Sequence, residues 1–335
     1  MAHELSFIGS EHGDMAYVGE TPWHGLGQSL PSGADIATWQ EAAGMDWMIQ
    51  EAPINYSVPS HVQGVPATRV QVPDKKALYR GDSFDHLAVV GSDFKLVQPA
   101  EVLEFFRDLV AQQGFTLETA GVLFGGRRFW ALAKTGAETR LRGVDPVKGY
   151  LLLATACDGT MATTAQFTSV RVVCNNTLQM SLSASKGQSG AVKVRHRTEF
   201  KPAEVKRDLG LEVWAQFEAQ AEQLISTPFD RRDKEAIKAF MVDVFAGDPS
   251  KELAEQPNKR AMLATFEALC SSPGADLPTA RNTAWGMLNA VTNYVDFKRP
   301  VRGANASDNR FANGQFGTGA ALKQKALDHL MALAA

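Results

Sequence analysis

The sequence is poor in the features that define several familiar classes of protein. Its 335 residues include three cysteines, Cys157, Cys174 and Cys270, and no CxxC pair. This spacing argues against a disulfide framework and a zinc ribbon, so we expect the cysteines to be small core residues. No apolar run approaches the roughly 20 residues of a membrane-spanning helix, and the first residues lack the pattern of a signal peptide. We therefore expect a cytoplasmic protein without membrane contact.

Catalytic motifs are missing as well. The chain has no GxxxxGK[ST], HExxH or GxSxG, and no GxGxxG followed by the acidic residue of a dinucleotide site. One histidine, His24, lies in TPWHGLG, and a catalytic or metal role for it would need partners, for which His12 with Asp14 is the nearby set. We expect Trp23 to anchor a turn there while the glycines let the backbone pass close to a neighbour. No cofactor or metal is expected, and an enzyme is not the favoured class.

Positive charge is absent from the beginning of the chain. The first basic residue is Arg69, and the residues before it carry a formal charge of −8, against +5 for the remainder. The acids of this region are Glu4, Glu11, Asp14, Glu20, Asp35, Glu41, Asp46 and Glu51. Such segregation is typical of electrostatic binding surfaces. The acidic region could fold against a basic groove of its own chain or a neighbouring subunit, or face away from nucleic acid.

The apolar pattern predicts an α+β fold with a largely antiparallel sheet and packed helices. Short strands separated by proline and glycine precede a helix from Pro99, and a hairpin follows with its turn at Gly125-Gly126. Asp158-Gly159 indicates another tight turn, after which Asn175 or Asn176 is expected to cap a helix. This order would give a β-β-β-α core. We divide the chain into an α+β domain, 1–198, and a helical region, 199–335.

Several motifs resemble one uncharacterised family across nearly the whole chain. They are PWHGLG at 22–27, AVVGSDFKLVQP at 88–99, VRVVCNNTL at 170–178, LNAVTNYVDFKRP at 288–300 and FGTGAALKQKAL at 316–327. The chain is similar in these motifs to the phage/plasmid-like proteins of unknown function. The resemblance implies a gene carried by phages, plasmids and integrated elements, where replication, recombination and defence against the host dominate. It names no activity.

Two segments have patterns of basic residues that are typical of nucleic-acid contact. One mixes basic with aromatic residues, and the other has a basic residue at every second position. The first consists of Arg127, Arg128, Phe129 and Trp130 on the hairpin, continuing to Lys134, Arg140 and Arg142. In the second, KVRHR, alternation predicts that Lys193, Arg195 and Arg197 share one face of an extended segment. Arg171 lies between two valines inside a strand, where it could line a groove or pair with an acid across the sheet.

These segments favour a nucleic-acid-binding protein of a mobile element, specifically one that binds and anneals single-stranded DNA in phage or plasmid recombination. The predicted element order looks like the core of the single-strand annealing superfamily, which is a likeness of fold alone. That likeness implies a homo-oligomer, a ring or filament, whose basic groove holds the extended DNA backbone while the bases remain available for pairing.

Two other classes stay open at this point. A regulatory or anti-defence protein could bind a partner protein, with the acidic first region mimicking nucleic acid. The eight acids are spread thinly for such a mimic. A metal-dependent nuclease could use Asp or Glu ligands that leave no local motif, and its activity would require divalent metal and be lost with a chelator.

Overall fold

The computed structural model describes residues 14–19, 27–62, 64, 66–171, 173, 176–179, 191–208, 213–301 and 306–335. The chain divides into two compact units, each assembled from three segments. The first unit takes its residues from Met1–Ala133, Leu152–Ala165 and Val192–Arg207. The second takes them from Lys134–Leu151, Gln166–Ala191 and Asp208–Ala335.

The strands form two sheets. They are β1 Met15–Val18, β2 Gln28–Leu30, β3 Ile49–Val58, β4 Thr68–Arg80, β5 His86–Gly91, β6 Thr116–Leu123, β7 Arg128–Leu141, β8 Asp145–Ala156, β9 Thr163–Arg171, β10 Asn176–Gln179 and β11 Ala191–Val194. The eight-stranded sheet has the order β10-β9-β8-β7-β6-β1-β2, with β11 paired to β9, and the other sheet is β3-β4-β5. Strands β7, β8 and β9 contribute residues to both units.

From Pro202 onward, all secondary-structure elements among the described residues are helices or helical turns. The helices are α1 Ile36–Ala42, α2 Pro99–Gln113, α3 Pro202–Asp208, α4 Val213–Ser226, α5 Lys234–Val244, α6 Lys259–Ser271, α7 Ala284–Asn293, α8 Ala306–Phe316 and α9 Thr318–Ala334. A 3-10 turn spans Leu253–Glu255, and a π-helical turn, Tyr294–Lys298, continues α7. The predicted α+β class is thereby confirmed. No described helix is long and apolar enough to cross a membrane.

Strand pairing is antiparallel in most of the ladders among the described residues. Ala16 of β1 pairs with Ala120 of β6 in an antiparallel ladder and with Gln28 of β2 in a parallel one. Strands β3 and β4 pair from Ile49↔Arg80 to Val58↔Thr68, with a bulge between Pro53 and Asn55. Beyond the bulge their side chains are exposed or half-buried, and β5 pairs with β4 only from Lys75 to Tyr79.

The two predicted hairpin turns are confirmed. Gly125 and Gly126 have φ values of 66° and 95°, and Gly159 has a φ of 74°, which are conformations that glycine adopts without strain. They lie between strands that are neighbours in the sheet, β6 with β7 and β8 with β9. The turn chemistry of Gly-Gly and Asp-Gly therefore sets where these strands begin and end.

The helix predicted after Asn175 or Asn176 is wrong. Asn176–Gln179 is strand β10, whose residues pair with β9 from Asn176↔Arg171 to Gln179↔Thr168. An asparagine caps a helix only when the residues after it adopt helical backbone angles. Here the backbone groups of Asn176–Gln179 pair with β9 instead. The predicted β-β-β-α core is consequently replaced by β6 to β10 in succession.

The core of the first unit is built from α1, α2 and the strands that they contact. Helix α2 starts at a capping box in which Gln98 and Glu101 exchange side-chain and backbone hydrogen bonds, and Gln98 also bonds both backbone groups of Ile49 on β3. The helix ends at Gly114, whose φ is 70°. Its buried face carries large side chains, of which Phe105 and Phe106 are fully buried.

Helix α7 is the centre of the second unit. Every residue from Ala284 to Asn293 is buried, including the polar Asn289 and Thr292. Helix α7 contacts α4, α6 and α9. Thr283 caps it by accepting a hydrogen bond from the N–H of Gly286 at 3.1 Å, which satisfies one donor of the first turn.

Candidate nucleic-acid interface

Arg127 and Arg128 follow the Gly125-Gly126 turn at the start of β7. Arg127 is exposed, and its Nε donates to the Phe124 carbonyl at 2.9 Å. The guanidinium of Arg128 lies 4.9 Å from the centre of the Phe124 ring and donates to Thr160 Oγ1 at 3.3 Å. A Cβ on Gly126 would lie 3.1 Å from the ring of Trp47, so the turn packs closely against the core.

The turn after β8 places Thr160 to receive Arg128. Asp158 Oδ1 accepts hydrogen bonds from Thr160 N–H at 3.0 Å and from Thr160 Oγ1 at 2.5 Å. This Asx-type arrangement holds the hydroxyl group at one position. The turn is tied to the first hairpin by backbone too, because Cys157 N–H donates to the Arg127 carbonyl at 3.0 Å.

The second basic segment begins on β11 and ends in a turn that Thr198 N–H closes on the Arg195 carbonyl at 2.9 Å. Lys193, Arg195 and Arg197 are exposed, while the residues between them are half-buried. Because the strand ends at Val194, Arg195 and Arg197 lie in the turn and do not share one face of an extended segment with Lys193. Arg197 forms a long ion pair with Asp93, 3.8 Å between Nε and Oδ2.

Sequence reasoning missed His196 as the residue that holds this segment. Its Nδ1 lies 2.9 Å from the Lys95 carbonyl oxygen and its Nε2 lies 3.0 Å from the Met161 carbonyl oxygen. Its ring stacks on Phe94 with a centroid distance of 4.4 Å and an interplanar angle of 14°. Lys95, which is exposed, was missed with it. No local pattern in KVRHR distinguishes a binding histidine from a solvated one.

The turn Asp158–Met161 therefore contacts both predicted basic segments in the first unit. Arg128 reaches it through Thr160, and His196 reaches it through Met161. Two described carboxylates contact these residues: Asp93 pairs with Arg197, and Asp158 accepts from Thr160. We call the cations here the basic cluster: Lys95, Arg127, Arg128, Lys193, Arg195 and Arg197. These cations outnumber the carboxylates, so the surface favours an anionic partner.

The predicted base-stacking role of Phe129 and Trp130 is wrong, because both rings are buried. Phe129 is 0% exposed and Trp130 is 5% exposed. Phe129 packs edge-on against Trp47 with centroids 5.6 Å apart. Neighbouring residues of a strand point to opposite faces of the sheet, so burial of both means that β7 is covered on both faces here.

The other predicted residues lie in the second unit. Lys134 is half-buried and Arg140 is exposed, whereas Arg142 donates to Glu222 at 2.8 Å and to Ser226 at 2.8 Å. Arg142 is thus engaged by α4. Arg171 ends β9, opposite Asn176, and its side chain lies outside the described residues.

The described cysteines differ in environment. Cys157 is 2% exposed, and burial together with the charge of Asp158 raises the pKa of its thiol to about 12, which confirms it as a core residue. Cys270 is half-buried, and Cys174 lies outside the described residues. Within the described chain, no group of three or more His, Cys, Asp or Glu side chains is arranged to hold a metal ion.

Most of the PWHGLG motif, including His24 and Trp23, lies outside the described residues. Gly27, its last residue, has a φ of 96°, and a Cβ there would lie 2.9 Å from the Met15 carbonyl oxygen. The predicted close approach of backbone at a glycine of this motif is thereby confirmed for Gly27.

Sequence reasoning also missed a set of buried polar groups in the second unit. Asp145 is 0% exposed and accepts hydrogen bonds from Thr279 at 2.8 Å and Trp285 at 3.2 Å. Lys323 on α9 pairs with Asp296 in the π-helical turn, and their side chains are 4% and 9% exposed. Helices with π-turns are frequent at functional sites, but these groups bond to one another within the fold.

The fold and this surface define an α+β protein with an exposed basic cluster on one of its two units. A family model described as Domain of unknown function (DUF932) matches residues 86–314. The match spans more than half of the chain and includes all six residues of the basic cluster, and the protein belongs to this family. Neither a search of curated proteins nor a search of solved structures found a match.

Proposed function

We propose that this protein binds single-stranded DNA through the basic cluster and promotes strand annealing in the recombination of a phage or plasmid. The observation that carries the proposal is the turn Asp158–Met161, which joins the guanidinium of Arg128 to the segment of His196. Exposed cations from separate parts of the chain converge there, and phosphate backbones are contacted by such convergent Lys and Arg side chains.

The mechanism needs phosphate contacts and no catalytic residue. Exposed Arg195 and Lys193 release counterions when they meet phosphates, which supplies affinity that depends on salt. Subunits arranged as a ring or filament in the cytoplasm would extend this contact along the strand. Because Phe129 and Trp130 are buried, stacking on them has no part in the mechanism, and the bases stay available for pairing.

The use of the early carboxylates supports DNA binding over mimicry of DNA. Asp14 is 3% exposed, Asp35 caps α1 by accepting from Thr38 N–H at 2.8 Å, and Glu51 pairs with Lys76 at 2.8 Å. A mimic presents its carboxylates together at the surface to a partner. Asp14 is buried, whereas Asp35 and Glu51 are exposed and are held in separate local contacts, a helix cap and an ion pair.

The test is fluorescence anisotropy with labelled single-stranded and duplex DNA over a salt series. A variant with Lys193→Ala, Arg195→Ala and Arg197→Ala removes three exposed charges of the basic cluster. The matched control removes three exposed charges of the second unit, with Arg232→Ala, Lys234→Ala and Arg260→Ala. Both variants change the net charge equally, so a difference between them reports position.

We expect the wild type and the control to bind single strands alike. The cluster variant should bind at least about tenfold more weakly, and its slope of log affinity against log salt should be smaller by about 2, since each lost phosphate contact removes about 0.7. Absence of binding to either form of DNA at low salt would refute the proposal. Binding confirmed in this way would then justify an annealing assay with complementary labelled strands.

A further inference from the structure

Both ring nitrogens of His196 face groups that only accept hydrogen bonds. Nδ1 lies 2.9 Å from the carbonyl oxygen of Lys95, and Nε2 lies 3.0 Å from the carbonyl oxygen of Met161. A carbonyl oxygen has no proton to give, so each nitrogen must be the donor. A neutral imidazole carries one N–H, and an imidazolium carries two. The two hydrogen bonds therefore exist together only when His196 is doubly protonated.

We propose that His196 is a positioning residue that holds the basic cluster as an imidazolium cation, so that nucleic-acid binding tightens as the pH falls. The part that concerns binding rests on the proposed function. The part that concerns the protonated anchor rests on the geometry of His196 alone.

The ring that stacks on His196 suits a cation. Phe94 lies 4.4 Å from it, and a flat aromatic face attracts positive charge. The charged groups on the segments around the ring are Asp93 and Lys95 beside Phe94, Lys76 on the Phe94 carbonyl with its partner Glu51, Asp158 and the bound Arg128 at the turn, and Arg195 and Arg197 on either side of His196.

Loss of the proton changes one of the two contacts from attraction to repulsion. A lone pair of the ring then faces a lone pair of a carbonyl oxygen at hydrogen-bond distance. The segment keeps the other ring bond and the backbone bond from Lys95 N–H to the His196 carbonyl. Arg195 and Arg197 are next to His196 in sequence, so their positions depend on the contact that is lost.

The first experiment needs no DNA. Nitrogen NMR of the ring should show protons on both nitrogens of His196 at about pH 6, within the range in which histidine titrates. In urea unfolding, His196→Gln should raise the unfolding equilibrium constant about tenfold at about pH 6 and about twofold at about pH 8. The stabilisation is thus present at low pH and is lost as the pH rises. A bare ring nitrogen at about pH 6, or equal effects of the substitution at both pH values, would overturn the anchor.

The second experiment measures binding of labelled single-stranded DNA at the same two pH values. Wild type should bind about three- to tenfold more tightly at the lower pH. His196→Arg keeps a permanent planar cation with several donors and should bind tightly with little pH dependence. His86→Gln, a change of an exposed histidine on β5, is the control and should behave as wild type.

The outcomes separate the two proposals. If wild type and His196→Gln bind DNA with the same pH dependence, the link between the proton and binding is overturned. If DNA is not bound at either pH while NMR and unfolding report the imidazolium, the proposed function fails and the protonated anchor stands.

Discussion

The two units place positive charge in opposite environments. In the first, Arg197 lies 3.8 Å from Asp93, and the side chains are 86% and 70% exposed. In the second, Lys323 and Asp296 pair with side chains that are 4% and 9% exposed. An exposed pair contributes little to stability, whereas a buried charge depends on its partner because it has lost its water. Arg197 can therefore exchange its partner for a phosphate, and Lys323 belongs to the fold.

The largest expected effect comes from breaking the buried pair. Lys323→Met removes the cation that pairs with the Asp296 carboxylate inside the fold, and we expect the free energy of unfolding to fall by about 4 kcal/mol. Arg197→Met, the matched change at the exposed pair, should cost at most about 0.5 kcal/mol. Urea unfolding measures both. Equal costs would show that burial does not separate the two pairs.

The second contrast concerns the two described thiols. Cys157 is sealed beneath the exposed turn of the first unit, with a pKa of about 12, whereas Cys270 in the second unit is half-buried. The thiolate is the reactive form, so Cys157 in the folded protein should react with iodoacetamide at least about 100-fold more slowly than Cys270. Peptide mass spectrometry after timed labelling at about pH 8 resolves the two sites. The two thiols should react at similar rates in urea, which serves as the reference. Similar rates in the folded protein as well would contradict the conclusion that the Cys157 thiol is buried and unreactive.

The local chemistry of turns explains which parts of this site were predictable. The Gly-Gly and Asp-Gly pairs predict positive φ at Gly126 and Gly159, and the structure has it there. The exposure of Lys193 was predictable in the same way, but the turn that follows Val194 was not. Whether both faces of β7 are covered depends on distant elements. The sequence around Phe129, which follows Arg127 and Arg128, therefore did not predict that the ring is buried. His196 meets carbonyl oxygens 101 and 35 residues away, which no local pattern encodes.

A core change beside the basic cluster sharpens the division between stability and binding. Phe129→Leu keeps an apolar side chain on β7 but loses the edge-on contact with Trp47, and should cost about 1 to 1.5 kcal/mol. The affinity of the folded protein for single-stranded DNA should stay within about twofold of wild type, since the ring is buried. Anisotropy and urea unfolding measure the two quantities. A large loss of affinity with unchanged stability would restore the stacking role that burial contradicts.

The smallest expected effect is at a half-exposed ion pair of the second unit, intermediate between the two pairs compared above. Asp243 accepts a hydrogen bond from His329 Nδ1 at 2.7 Å, and this bond, with the nearby Lys325, holds the pKa of the Asp243 carboxyl below its ordinary value. A lowered pKa in the folded state stabilises the protein above the pKa of the unfolded state, and this stabilisation is lost as the pH falls through the folded value.

Asp243→Asn should therefore cost about 0.5 kcal/mol at about pH 7, where water screens the pair, and progressively less below about pH 4. Urea unfolding of wild type and variant across this range measures the difference, with Asp93→Asn as the control at the exposed pair, where we expect no measurable cost. A cost for Asp243→Asn that grows as the pH falls would have the wrong sign for a charged partner. The absence of any cost across this range would mean that the packing of His329 on Phe240, with rings 5.2 Å apart, stabilises α5 and α9 independently of the carboxylate.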